Sequence, residues 1–156
     1  MRIGITGTPG TGKTTISESL DREIISIKDF AKDKGLGEQK KLFEVDTEAV
    51  NDELPESCWF EGHLAHRIDL DYCIVLRTRP DILEERLEAR DYPEQKINEN
   101  VEAEAMDIIL SEASQKTCVY EIDTTEKSID ETVREIEDAV GNRKEKTGVV
   151  DWTGFL

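Results

Sequence analysis

Residues 7–15 read GTPGTGKTT, and their types and spacing can hold a string of phosphates. Gly7, four intervening residues and then Gly12-Lys13-Thr14 make the P-loop pattern. Glycines let the backbone curl without Cβ clashes, so successive N–H groups point into one concavity. That concavity opens a helix, where unpaired N–H groups and the helix dipole favour an anion. Lys13 can reach the β- and γ-phosphates as a point charge, and the Thr14 hydroxyl can ligate Mg2+. Thr15 can add a contact to the α-phosphate. A plain Gly-rich turn would read similarly in isolation. Here Arg2-Ile3-Gly4-Ile5-Thr6 precedes the loop and Ile16-Ser17-Glu18-Ser19-Leu20 follows it, so strand, loop and helix fall in order.

A phosphate cradle does not say whether the acceptor is water, a hydroxyl or another phosphate. Glu61 ends an apolar run, Cys58-Trp59-Phe60, and is the candidate second acidic group that holds Mg2+ or its water. A carboxylate after Trp-Phe is costly unless partnered, which favours this over a solvated strand end. Alternation puts Trp59, Glu61 and His63 on one strand face, so Glu61 and His63 can both look at the phosphates. His63 and His66 have no third ligand near, so a structural or phosphate-facing role is expected in place of zinc. Arg86, Arg90 and Lys96 flank Tyr92-Pro93. Phosphoryl transfer needs cations around the migrating group, and a short arginine-bearing segment can bring them on closure. The alternative is helix ends paired with Glu84, Glu85 and Glu88. Asp29 is the candidate general base for a hydroxyl acceptor. A nucleotide monophosphate acceptor needs only cations, which Lys32, Lys40 and Lys41 offer.

These groups need a scaffold, and the pattern supplies one. Strands are predicted at 3–7, 23–27, 58–63, 72–76 and 118–122. Helices are predicted at 13–20, 29–34, 46–54 capped by Asp46, 80–89 opened by Pro80, 97–114 and 128–140 stopped by Gly141. Residues 35–44 read as polar and flexible. Strands alternating with helices predict one α/β domain over 1–156, a three-layer α/β/α P-loop fold around a five-stranded parallel sheet. Ligands then gather at the carboxyl ends of the strands. The GxGxxG dinucleotide fingerprint is absent, because position 15 is Thr.

The chain carries 20 Lys and Arg against 36 Asp and Glu, a formal net charge of −16. Such a surface repels nucleic acid and anionic membrane, so neither is expected as a direct partner. It suits a basic protein partner or plain solubility. Cys58, Cys73 and Cys118 are dispersed and form no CxxC, which points to buried thiols in a reducing compartment. No apolar stretch reaches membrane-spanning length and the first strand starts at once, so a cytoplasmic location without a signal peptide is expected.

GTPGTGKTT, SIKDFAK, WFEGH and VLRTRPDILEERLEARDYPEQKINEN together resemble the small adenylate kinases of isoenzyme type six, also called the coilin-interacting nuclear ATPase family, in an archaeal-looking version. The resemblance runs to about residue 140. It implies ATP + AMP ⇌ 2 ADP with Mg2+, together with ATPase activity. It implies ATP on Gly10, Gly12, Lys13, Thr14 and Thr15, with Arg90 and Lys127 as further contacts. It implies a short lid at 89–99 and an AMP-binding segment at 26–45, with Ser26, Asp29, Lys32 and His63 on the acceptor side. It also implies a role in small-ribosomal-subunit maturation through a ribosomal protein.

Three positions depart from that pattern. Lys32 stands where the family usually has an arginine for the AMP phosphate, and lysine cannot pair bidentately. Glu61 stands for Asp. Asp91 replaces the lid glycine. The tail 142–156, ending VVDWTGFL, is expected to dock on the core, with a partner-binding peptide as the alternative.

Overall fold

The six residues Tyr72–Arg77 are buried without exception, which a strand achieves only with neighbours on both sides and cover on both faces. In a computed structural model that describes residues 1–156, this run is the fourth strand of a five-stranded parallel sheet. The chain runs β1 (Arg2–Thr6), α1 (Lys13–Ser19), β2 (Ile24–Ser26), α2 (Ile27–Lys34), β3 (Gly37–Gln39), β4 (Phe43–Val45), α3 (Thr47–Glu53) and β5 (Cys58–Glu61). After a short 3-10 turn, Ala65–Arg67, come β6 (Tyr72–Arg77), α4 (Pro80–Ala89), α5 (Glu94–Ala105), α6 (Ile108–Ser114), β7 (Cys118–Asp123) and α7 (Ile129–Gly141).

The parallel sheet has the order β2-β5-β1-β6-β7. The chain goes from β1 out to β2 and β5 on one side, then crosses to β6 and β7 on the other. β1 is therefore where the order reverses, and the loop after it lies in the crevice at the strand ends. Register sets Ile5 beside Glu61 and Ile74, and Arg77 beside Asp123.

Alternating side chains divide between two cores. Ile3, Ile5, Ile74 and Leu76 pack under α1 and α7 with Ile16, Leu20, Ile136 and Ala139. Cys73, Val75 and Val119 face Leu110 and Ala113 of α6. Each such large side chain contributes ~1.5–3 kcal/mol relative to staying exposed. Ile27, Ala31, Val50, Leu54, Phe60 and Ile68 form a further core, with Phe43 and Val45 of the β3–β4 hairpin against it.

The fold meets the expectation of a parallel sheet flanked by helices, with local corrections. Residues 35–44 are not featureless: β3 and β4 pair antiparallel, Gly37 with Val45 and Gln39 with Phe43. A Cβ on Gly37 would stand 2.2 Å from the Glu44 carbonyl oxygen, so only glycine allows that approach. The helix expected at 97–114 is two helices. Asp107 adopts a left-handed φ of 57° between them, and an ion pair to Arg77 holds it there. α2 starts at Ile27, with the Ser26 hydroxyl accepting from Asp29 N, and not at Asp29. β5 ends at Glu61, so strand alternation does not extend to His63. α7 runs through Gly141 and is capped by Asn142.

The tail docks. Lys146 bridges alongside Tyr120, with Glu121 N donating to Lys146 O and Lys146 N to Val119 O, so the free edge of β7 is covered. Trp152 is buried beyond it, while Phe155 stays half exposed. Cys73 is buried, and all three cysteines are free thiols. No helix is long and apolar enough to cross a membrane.

Candidate active site

The loop 7–12 turns tightly between β1 and α1. A Cβ on Gly7 would meet the Leu76 carbonyl oxygen at 2.7 Å and Thr11 Oγ1 at 2.6 Å. At Gly10, φ is 95° and a Cβ would press on Leu83 at 2.8 Å, so α4 approaches the loop closely. Gly12 caps α1. The Thr11 hydroxyl donates to Thr8 O at 2.8 Å and braces the loop across itself. Arg86 donates from α4 to Gly10 O at 3.1 Å and to Thr78 Oγ1 at 3.3 Å. Arg86 is therefore a brace behind the loop and not a cation waiting over it.

Lys13 is buried, and its ammonium donates to Gly7 O at 2.8 Å and Thr8 O at 3.1 Å. Burial lowers its pKa to about 8, against the pull of Glu61 and Glu104, with the Arg90 charge adding to the lowering. Thr14 and Thr15 are exposed on the first turn of α1. Glu61 is 8% exposed at the end of β5. Burial raises its pKa; Lys13 opposes that, and Asp29 adds to the rise. It forms no ion pair, so a near-buried carboxylate stands beside the loop lysine with coordination capacity to spare. Glu61 and Thr14 each carry a hard oxygen of the kind Mg2+ takes.

His63 lies just past β5 with an exposed side chain. Crowding by protein, then Lys13, His66 and Arg67, hold its pKa down to about 4. At neutral pH it is a neutral imidazole within the electrostatic reach of Lys13. His66 is structural: it is buried, its Nδ1 lies 3.1 Å from Thr6 Oγ1, and its Nε2 lies 2.6 Å from Glu112.

On the β2 side, the Ser26 hydroxyl oxygen caps α2 by accepting from Asp29 N, and its O–H is left to act on Glu61. Asp29 is exposed in the first turn of α2, and its charge acts on Glu61. Lys32 is exposed on the same helix, its ammonium 5.7 Å from the Phe43 ring of the hairpin. Lys28 was not singled out in sequence, yet its charge acts on His63. Lys40 is bound to Glu44 at 3.1 Å, and Lys41 is exposed.

On the other side, Arg90 caps α4 at the start of a tight turn, residues 90–93, and forms no ion pair. Asp91 there has a φ of 56°. Lys96 pairs with Glu99 on the exposed face of α5. Lys127 pairs with Glu135 at 2.5 Å. It lines an open cleft of about 350 Å3 with Arg79, Asp123, Thr125, Glu126 and Trp152. So Lys13, Glu61 and His63 converge, Arg90 stands within electrostatic reach of Lys13, and Lys127 and Lys32 lie on opposite flanks.

Sequence reading missed the buried group beneath the loop. Arg77, 1% exposed, is ion-paired to Glu104, Asp107 and Glu121. An arginine ending an apolar strand and a glutamate on an otherwise apolar stripe of α5 were the available signals.

A phosphate loop at the switch point of a parallel sheet covered by helices defines a P-loop nucleotide-binding fold. The chain matches the family described as "AAA domain" over residues 3–107. It is 44% identical to a Methanocaldococcus jannaschii protein named "Putative adenylate kinase", over 98% of this chain and 93% of that one. It is 42% identical to a Natronomonas pharaonis protein of the same name, over the whole of both. The chain belongs to this AAA-domain family and to the group of archaeal proteins so named. A shikimate kinase from Acinetobacter baumannii shares the fold, with a TM-score of 0.65 and 15% identity over 93% of this chain and 95% of that one.

Proposed function

We propose that this protein is a nucleoside monophosphate kinase that transfers the γ-phosphoryl group of ATP to AMP, reversibly giving two ADP. The observation that carries the reading is the phosphate loop itself, closed on the buried Lys13, whose ammonium donates to Gly7 O and Thr8 O, at the switch point of the parallel sheet. The full-length likeness to proteins named for adenylate kinase supports it.

In-line transfer breaks the bond between the γ-phosphorus and the β–γ bridging oxygen while an oxygen of the AMP phosphate bonds to that phosphorus. The leaving ADP keeps the electron pair, and no proton has to be removed from the acceptor. Catalysis then reduces to holding the two nucleotides in line and stabilising the spread negative charge. The loop N–H groups and Lys13 hold the β- and γ-phosphates. Thr14 and Thr15 follow along the chain of phosphates, with Gly10 and Gly12 giving the backbone its approach. Thr14 and Glu61 would hold Mg2+, which would supply charge neutralisation to the phosphates. Arg90, in the turn 90–93 between α4 and α5 within the expected lid 89–99, would approach the γ-phosphate, and Lys127 is a further contact to ATP. AMP lies against segment 26–45, its phosphate between Lys32 and neutral His63, with Ser26 and Asp29 at the foot of α2.

The test is ADP formation from ATP with AMP, GMP, CMP or UMP as acceptor. AMP-dependent ADP formation that exceeds the other three is expected. Turnover unaffected by any monophosphate would sink the reading.

A second reading has the same site hydrolyse ATP as a switch in small-subunit ribosome maturation, as the resemblance to the type-six adenylate kinases implies. The −16 charge favours a basic ribosomal protein as its partner. Nucleotide-dependent capture of small-subunit proteins is its test, and capture indifferent to ATP counts against it.

A further inference from the structure

Beneath the phosphate loop, a continuous hydrogen-bonded path joins the tail to the loop. Val149 N donates to Glu121 Oε1 at 2.9 Å. Glu121 Oε2 accepts from Arg77 Nη1 at 2.6 Å. Arg77 Nε donates to Glu104 Oε1 at 3.0 Å. The same Glu104 oxygen accepts from the Thr8 hydroxyl at 3.3 Å, and its other oxygen accepts from Thr78 N at 3.0 Å. Trp152 closes the path from outside, its ring 5.0 Å from the Arg77 guanidinium.

We propose that Glu104 and Trp152 are positioning residues for ATP: the docked tail fixes Arg77, Arg77 fixes Glu104, and Glu104 holds Thr8 and hence the Lys13-bearing loop in its phosphate-binding shape. The inference deepens the kinase reading above and rests on it for the identity of the ligand.

Chemistry explains why the tail is needed. Glu104, Glu121 and Arg77 are all almost wholly buried. A buried guanidinium is stable only when its donors are nearly all taken and water is kept away. Glu104, Asp107 and Glu121 take four of its five N–H donors, Glu104 with both its carboxylate and its backbone carbonyl. Trp152 supplies the remaining cover and a cation–π contact, which strengthens as the pair is desolvated. Without the ring, water reaches Arg77 and competes for its donors, so Glu104 loses a fixed partner. Glu104 in turn has two effects at the loop. It accepts the Thr8 hydroxyl, and its charge helps to keep Lys13 protonated against burial. Thr8 O is also one of the two carbonyls that Lys13 contacts. No comparable path leads from the tail to Ser26, Asp29 or Lys32, so the effect is confined to the ATP side.

The experiment measures ATP and AMP dissociation constants separately by titration calorimetry, with thermal unfolding alongside. The variants are Trp152→Ala, Trp152→Phe and Glu104→Gln. Trp152→Ala is expected to weaken ATP about tenfold and leave AMP within about twofold, and Trp152→Phe to restore most of the ATP affinity. Glu104→Gln keeps the volume and loses the charge; it is expected to weaken ATP at least as much. A Trp59→Phe background leaves Trp152 as the sole indole; its emission should shift with ATP and not with AMP, and the shift should be lost at saturating ATP when Glu104→Gln is added, whereas a shift that persists there reports direct contact across the shared cleft and counts against the proposal.

An unchanged ATP constant in Trp152→Ala overturns the proposal. So does a parallel loss for both nucleotides that tracks a fall in Tm. Should Trp152→Ala fail to fold, Glu104→Gln and the emission arm decide alone. Neither arm needs turnover, so a protein that binds ATP this way but leaves AMP unphosphorylated would defeat the kinase reading and leave this one standing.

Discussion

Lys13 Nζ donates back to the carbonyl oxygens of Gly7 and Thr8, 2.8 and 3.1 Å away, so the loop holds its own lysine. Phosphate oxygens compete for the same three ammonium protons. The loop is thus a cradle already shaped around a cation, and nucleotide binding exchanges carbonyl partners for anionic ones that bond more strongly.

Burial lowers Lys13 to about 8, so the free protein begins to lose this charge just above neutrality. A bound triphosphate favours the ammonium. ATP binding at pH 8–9 should therefore take up a fraction of a proton, and affinity should fall as pH rises past 8. Calorimetry in two buffers of different ionisation enthalpy reads the uptake, and Lys13→Met should abolish it. In stability the sign is opposite. Below pH 8 both folded and unfolded chains carry the proton and the fold bears the full cost of burial. Between 8 and the ordinary 10.5 the folded chain sheds it and that cost is relieved.

His63 has the same kind of depression on the acid side, from the ordinary 6.5 to about 4. The unfolded chain binds this proton first as pH falls, so stability drops between pH 6.5 and 4. His63→Gln should flatten that limb in denaturant titrations taken at pH 7, 5.5 and 4.5. A limb of unchanged slope would assign it to His66 or other groups. AMP phosphorylation by His63→Gln should fall several-fold through the Michaelis constant for AMP if neutral His63 donates to the acceptor phosphate.

Asp29 sits in the first turn of α2, where a carboxylate is favoured by the helix dipole by ~0.3–1 kcal/mol. A phosphate acceptor needs no base, so Asp29→Asn should keep AMP phosphorylation within about threefold while lowering stability by that modest amount. Loss of transfer by two or more orders of magnitude would make Asp29 a base, and would turn attention to a hydroxyl acceptor.

Asp91 holds a φ of 56° in the turn between α4 and α5, a region that aspartate tolerates and β-branched residues do not. Asp91→Val should cost ~1–2 kcal/mol and lower Tm by ~2–8 °C. Asp91→Gly should leave Tm within a few degrees. Equal Tm values for the two variants would mean that the turn relaxes freely.

Much of the fold was legible because its signals are local. The loop motif, Pro80 opening α4, Asp46 capping α3 and the apolar run at 72–77 each announce themselves within a few residues. What was not legible depends on distant partners. Nothing near Asp107 breaks a helix; its left-handed turn is held by Arg77, thirty positions away. The β3–β4 hairpin has strands of only three residues each, and Phe43 and Val45 of β4 gain their cover from the core around Phe60. At the site, Lys13, Glu61 and His63 were found from sequence and do converge. Arg86 read as a free cation and is a brace for Gly10. Arg77 and Glu104 escaped because charges in apolar runs reveal a partner only once the fold brings them together.

The central claim is that the loop lysine and Arg90 serve transfer to a nucleotide monophosphate. The most direct measurement quantifies ADP and free phosphate separately, with ATP alone and with ATP plus AMP. Two ADP formed for each AMP consumed, with little phosphate released and Arg90→Ala slower by at least about tenfold, is the predicted result. Phosphate release that equals ADP formation and ignores AMP would contradict it.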